Sequence, residues 1–154
     1  MAVTLDDLLA CLRLEQVAPD AFEGPNLDIG YHRVFGGQVL AQCVVVAAVA
    51  APGKVVRSLH VAFPREGDAG VPLRYEVTSH HVGRTFATVG VTARQGERVV
   101  AVATASLHVE ESEWPAHGDG PPDAGPPSAA VATDLGLVPW ETRIVDGVDL
   151  ADPT

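Results

Sequence analysis

One helix start, one imidazole and one hydroxyl stand out as groups able to act on a carbonyl. Gly36-Gly37 precedes Gln38 and a long apolar run to Ala51 that Pro52-Gly53 stops. If that run is a helix, its first N–H groups lack acceptors and carry the positive end of the helix dipole. A carbonyl placed there has its developing oxyanion stabilised, and two glycines let a ligand approach the backbone closely. Gln38 in the first turn could orient a water. His60 lies between Leu59 and Val61 in a strand-like stretch, faces away from them, and could serve as a general base. Thr104 could hold the same water. Each has a plain alternative: a Gly-Gly turn under a sheet, a first-turn hydrogen bonder, and hydrogen-bonded strand residues.

The cations are unevenly placed. The chain of 154 residues has 10 Lys/Arg and 20 Asp/Glu, a net charge of −10. Residues 33–109 nevertheless hold eight bases and four acids, a net +4, against −5 before them and −9 after. Arginine matches phosphate bidentately. Of the arginines at 33, 57, 65, 84, 94 and 98, Arg33 and Arg84 are the candidates for an anionic small ligand, with Gly36 and Gly37 beside them. The acidic balance argues against nucleic acid or an anionic membrane surface as the main partner.

Other chemistries find less support. There is no G-x-S-x-G motif, no P-loop and no dinucleotide fingerprint. Cys43, inside the apolar run, reads as a small buried hydrophobe rather than a nucleophile. Asp28 and His32 are spaced D-x3-H, not the D-x4-H that hydratase chemistry would show, and Asp28 before Gly30 reads as an Asx turn. His80-His81 should point to opposite faces of a strand and so not share an ion. No metal or cofactor is expected.

The elements that position these groups follow from periodicity. Residues 4–16 read as an amphipathic helix with Thr4 as N-cap, Asp7 three residues on, and Leu5, Leu8, Leu9 and Leu12 on one face. Tyr31–Phe35 is a possible short strand. The run of fourteen from Gln38 is too long for a typical strand, so it is a helix, apolar nearly all round and buried on most sides. Strand-like stretches follow near 54–64, 72–82, 85–95 and 98–110, the last two alternating with period two. Val82-Gly83-Arg84 and Gln95-Gly96-Glu97 read as hairpin turns. An antiparallel sheet of about five strands curled around one buried helix is the hotdog arrangement, an α+β fold. Residues 1–111 form that domain, 112–139 a Pro/Gly/Asp-rich linker, and 140–154 a tail whose Trp140–Val145 looks like a strand without a partner in the chain.

Several local patterns coincide in order and spacing. They are Arg33-Val34-Phe35-Gly36-Gly37-Gln38-Val39, then Ser58-Leu59-His60 with Phe63, Arg65 and Gly67-Asp68. Gly83-Arg84-Thr85-Phe86, Ala93-Arg94-Gln95-Gly96, Ala105-Ser106 and Glu110 follow. Together, over about residues 5–111, they resemble the N-terminal half of the type II (TesB-like) acyl-CoA thioesterases. Val82 and Pro64 depart from the family pattern. The resemblance implies a double-hotdog enzyme that hydrolyses fatty acyl-CoA, with the Asp, Ser/Thr and Gln that position the water in the second hotdog. No catalytic triad is therefore carried over, and the tail resembles the start of that second hotdog.

The expected function is hydrolysis of acyl-CoA thioesters to fatty acid and CoA, as a homodimer or with a second hotdog chain. Gln38, His60 and Thr104 are the candidate catalytic residues; Gly36, Gly37, Arg33 and Arg84 are the candidate substrate-binding ones. The alternative is a non-catalytic module that binds acyl-CoA or stabilises a partner hotdog. No signal-like start and no run long enough to span a bilayer are visible. Two cysteines without an export signal point to the cytoplasm.

Overall fold

A computed structural model describes residues 3–111, 120, 124–133 and 140–145. Of the expected linker and tail, residues 112–119, 121–123, 134–139 and 146–154 lie outside the described residues. Helix α1 runs Leu5–Cys11 and is opened by the capping box read from the sequence. The Asp7 amide donates to Thr4 Oγ1 at 3.2 Å, and the Thr4 amide donates to Asp7 Oδ2 at 2.9 Å. The helix is shorter than expected. Leu14 turns into the core, and Glu15–Ala18 (β1) pairs as a hairpin with Ala21–Gly24 (β2). Leu5 and Leu9 stay about half exposed.

Helix α2 spans Gly36–Ala50. Strands β3 (Val55–Ala62), β4 (Leu73–Val82), β5 (Phe86–Gln95) and β6 (Arg98–His108) follow. The sheet is antiparallel with order β1-β2-β4-β5-β6-β3. It has six strands rather than five, because the expected end of the first helix is a hairpin. Tyr31–Phe35 is not a strand; it contributes one bridge, Arg33 to Asp68. The β5–β6 turn is the two-residue hairpin expected, with Gln95 paired to Arg98 and Gly96 at φ +57°.

Alternation sets the core. Ala87, Val89, Val91 and Ala93 of β5 and Ala101, Ala103, Ala105 and Leu107 of β6 point inward and are buried. Small inward residues let α2 lie close, with Val39, Cys43, Val46 and Ala47 on the sheet. The opposite flank of α2 is bare. Leu40, Val44 and Val49 are 37–53% exposed, so the helix is covered on one face and not on most sides. Its apolar outer flank faces away from the six-stranded sheet.

Beyond the hotdog unit, Val131–Thr133 (β7) and Thr142–Ile144 (β8) form a separate two-stranded ribbon. The strand expected to lack a partner therefore has one in the chain. No described helix is long and apolar enough to cross a membrane.

Candidate active site

The start of α2 opens into a cleft of about 380 Å³ lined by Arg33, Gly36, Val39, Phe63, Arg65 and Gly67 among others. No side chain caps this helix end, and its first turn carries no acid. The amides of the first turn therefore have no intrahelical acceptor. A Cβ on Gly36 would meet only Phe63, at 3.8 Å, so the approach to this backbone is open. At Gly37 a Cβ would lie 2.7 Å from the Phe35 ring, so glycine is what lets that ring fold over the helix start.

Gln38 is fully buried and its polar atoms are occupied. Its Oε1 accepts from the Leu27 amide at 2.7 Å. Its Nε2 lies 3.1–3.2 Å from the Pro25 carbonyl, Asn26 Oδ1 and Gln42 Oε1. One turn on, Gln42 Nε2 donates to the carbonyls of Cys11 and Pro25, and Tyr75 Oη donates to Gln42 Oε1. Asn26 continues the chain of amides, donating to carbonyls at Ala69 and Val71. Gln95 donates to the carbonyls of Asp68 and Val71 and accepts from the Asp68 amide. These four side-chain amides fasten the 25–28 segment and the loop before β4 to the base of α2. Burial pushes the Tyr75 phenol above its usual range.

The other candidates are scattered. His60 pairs in register with Thr104 on the sheet face opposite α2, and both are exposed. The sheet thus separates Gln38 from His60 and Thr104; the three are not brought together within this chain. Arg33 is in the cleft, but its Nε lies 2.7 Å from Glu66 and its guanidinium sits 5.9 Å from the Tyr31 ring centre. Arg84 is on the β4–β5 turn, at the far end of β5. Ten strand residues span about 30 Å, so Arg84 and Gly36 do not share one cleft of one chain.

Two further residues take the plainer reading or depart from it. Asp28 accepts from the Gly30 amide at 2.9 Å, which is the Asx turn. His80 and His81 do not alternate. The β4–β5 register jumps between Ser79 and His81, so His80 is an extra residue. Its ring lies 2.6 Å from where a Cβ on outward-facing Gly90 would sit, and His81 pairs with outward-facing Thr88. Both imidazoles thus lie on the outer face, because a bulge breaks the two-residue period. Among the described residues no three metal-ligating side chains converge. Cys43 is buried and its thiol is pushed up to about 12.

The amide network is what the sequence reading missed. Its signal was present: two glutamines one turn apart inside an otherwise apolar helix need buried partners.

Comparison with known proteins identifies the fold class. The chain superposes on a TesB protein of Mycobacterium avium subsp. paratuberculosis with a TM-score of 0.77 and 33% identity, covering 82% of this chain and 50% of that one. The six-stranded sheet and its helix are thus a hotdog of the thioesterase kind. Residues 24–108 match the acyl-CoA thioesterase N-terminal domain family. The chain belongs to that family. It is 34% identical over 128 residues to acyl-CoA thioesterase 2 of Haemophilus influenzae, covering 82% of this chain and 44% of the relative. It is 32% identical over 117 residues to human acyl-coenzyme A thioesterase 8, covering 75% and 37%. The chain thus spans less than half the length of these two relatives.

Proposed function

We propose that the chain is the first hotdog of a two-hotdog acyl-CoA thioesterase and takes part in hydrolysing acyl-CoA to fatty acid and CoA in the cytoplasm. The observation that carries this reading is a family domain matched over about half of a longer enzyme, with two surfaces left bare where a second half would sit. One is strand β3, at the sheet edge with no neighbour beyond it among the described residues. The other is the flank of α2 bearing Leu40, Val44 and Val49. Exposed edges and apolar faces favour pairing. A second copy, or a second hotdog chain, continues the sheet through β3 and covers α2.

The pairing also supplies what one chain lacks. Strand β3 begins at the Arg84 end of the sheet and ends beside the α2 cleft. In an antiparallel β3–β3 junction the Arg84 end of one hotdog lies beside the cleft of the other. The thioester carbonyl sits at the Gly36 and Gly37 amides, water adds to its carbon, and the C–S bond breaks to release CoA thiol and a carboxylic acid. Arg33 and Arg84 flank the bound ligand, and Gln38 fastens the 25–28 segment to the base of α2; His60 and Thr104 stay on the opposite face of the sheet, so the group that orients the water comes from the second hotdog.

A second reading, a non-catalytic acyl-CoA-binding or partner-stabilising module, is favoured by one observation: Gln38 is saturated and lies across the sheet from His60 and Thr104. Thiol release from acyl-CoAs of graded chain length, with the molar mass measured by light scattering, separates the two. Turnover by a dimer supports hydrolysis. A folded, CoA-binding chain without turnover supports the module.

A further inference from the structure

The start of α2 is tied into a closed ring of hydrogen bonds. On one side Gln38 Nε2 donates to Asn26 Oδ1 at 3.1 Å. Asn26 Nδ2 in turn donates to the Val71 carbonyl at 2.6 Å. Gln95 Nε2 donates to the same carbonyl at 2.6 Å and to the Asp68 carbonyl at 2.7 Å. Gln95 Oε1 accepts from the Asp68 amide at 2.8 Å. From Asp68 the ring returns to the helix. The Val34 amide donates to the Gly67 carbonyl and the Ala69 amide to the His32 carbonyl, each at 2.9 Å. The ring thus leaves α2 through Gln38 and comes back through Val34, just before Gly36.

Strand geometry explains the place of Gln95 in this ring. Arg33 and Asp68 form an antiparallel bridge whose hydrogen bonds come from their flanking residues. In such a bridge each central residue turns its own N–H and C=O to the other side. At Asp68 the Gln95 carboxamide takes up both, standing where a third strand would. Gln95 is the last residue of β5 and is buried, and Arg98 donates to its Oε1 at 3.0 Å. The segment it grips forms a wall of the α2 cleft: Arg65, Glu66 and Gly67 line it together with Arg33, Gly36 and Val39. Glu66 also carries the ion pair to Arg33. Gln95 is not part of that lining.

We propose that Gln95 is a positioning residue for the α2 cleft. By gripping Asp68 it holds the 66–69 wall in place. Through the Arg33–Asp68 bridge it also fixes the Arg33 side chain and the chain entering α2, and so the direction of the Gly36 and Gly37 amides. That the ligand of these amides is an acyl thioester of CoA rests on the reading given under the proposed function. Gln95 acts through Asp68 and Arg33 and touches no substrate. Without its carboxamide the buried Asp68 amide loses its acceptor, and the wall is free to part from His32–Val34. The helix start then keeps the tie through Gln38 and loses the one through Val34.

The test uses the full chain, with amide exchange read by NMR and with S-acetonyl-CoA, a ketone that keeps a carbonyl and cannot be hydrolysed, as the ligand probe. Gln95→Leu keeps the bulk of the side chain and removes both polar atoms. Exchange at Val34 and Ala69 should quicken roughly 10- to 100-fold, the scale of a buried group left unpaired, with Val91 and Ala103 in the sheet core unchanged. S-acetonyl-CoA should bind roughly tenfold more weakly, since its site is no longer preorganised. Gln95→Glu keeps the bulk and the acceptor, replaces the donor with a second acceptor, and should act in the same sense. Unchanged exchange at Val34 and Ala69 in both variants, or an equal rise at Val91 and Ala103, overturns the positioning role. A local rise with unchanged affinity for the probe overturns it too, because the wall would then move without the ligand sensing it. A folded wild-type chain that does not bind the probe overturns the acyl-CoA reading of the cleft, and exchange at Val34 and Ala69 still decides whether Gln95 holds its wall.

Discussion

The two faces of the sheet use polar groups in opposite ways. On the α2 side the polar side chains (Gln38, Gln42, Tyr75) are buried and spent on one another and on backbone carbonyls. On the outer side His60, His80, His81, Thr104 and Ser106 stand on the strands with no hydrogen bond among the described residues, while Arg94 pairs with Glu76 and His108 contacts the Val109 carbonyl and Glu111. The inner polar groups therefore position loops, and the outer ones are available to a ligand. Residue type alone does not distinguish the two uses. A glutamine at a helix start looks catalytic until its acceptors are counted.

That contrast can be tested, beginning with its largest effect. With its thiol raised to about 12, Cys43 should react with a disulfide reagent at pH 8 roughly a thousandfold more slowly than an exposed cysteine. Adding guanidinium should abolish the difference; fast reaction of the native chain would mean that α2 is not seated on the sheet. Next is Gln42→Leu, which removes the partner of the Tyr75 hydroxyl and of the Cys11 carbonyl, and one of the two donors to the Pro25 carbonyl. Unsatisfied buried groups cost about 1–3 kcal/mol each, so denaturant unfolding should show a loss of roughly 3 kcal/mol or more.

A matched pair sharpens the comparison further. Val46→Ala on the inner side should cost roughly 1.5–3 kcal/mol, whereas Thr78→Ala on the outer side should stay within about 0.5 kcal/mol of wild type. Equal losses would erase the distinction between the faces. The smallest effect is at α1. The Thr4 hydroxyl and amide hold the Asp7 carboxyl below its ordinary 3.8. A depressed folded value gives stability that is present above the unfolded pKa and lost as pH falls through the folded one. Asp7→Asn should remove that small contribution at neutral pH, leave the most acid end of the stability curve unchanged, and so flatten its acid limb.

Much of this architecture is legible in local pattern. Alternation of Ala and Val with Thr and Arg places β5 and β6 within two residues of their ends, and Thr4 with Asp7 marks the start of α1. What escapes has a common cause: it depends on partners remote in sequence. Gln42 meets the Cys11 carbonyl 31 positions away. The bulge that puts His80 and His81 on one face inserts a single residue, which reverses every later assignment of inside and outside. The end of α1 is decided by Leu14 finding the core and by Glu15–Ala18 finding β2. Similarly, the apolar composition of α2 declares that both flanks avoid water but not that the chain covers only one. Of the candidate site, the open helix start was readable from Gly36-Gly37, while the ring of hydrogen bonds through Gln95 was not. It needs Asn26, Asp68 and Gln95, from three separate segments, to meet.

The bare edge of β3 has an evolutionary consequence. Backbone N–H and C=O groups recognise strand direction and spacing, and are indifferent to most side chains that decorate a neighbouring strand. An edge of this kind accepts an identical copy as readily as a diverged descendant, whether separate or fused by a duplicated gene. Once fused, one copy is released from the requirement to do everything. Selection can then concentrate reactive groups in one half and leave architecture to the other, with the hydrogen bonds along the seam unchanged throughout.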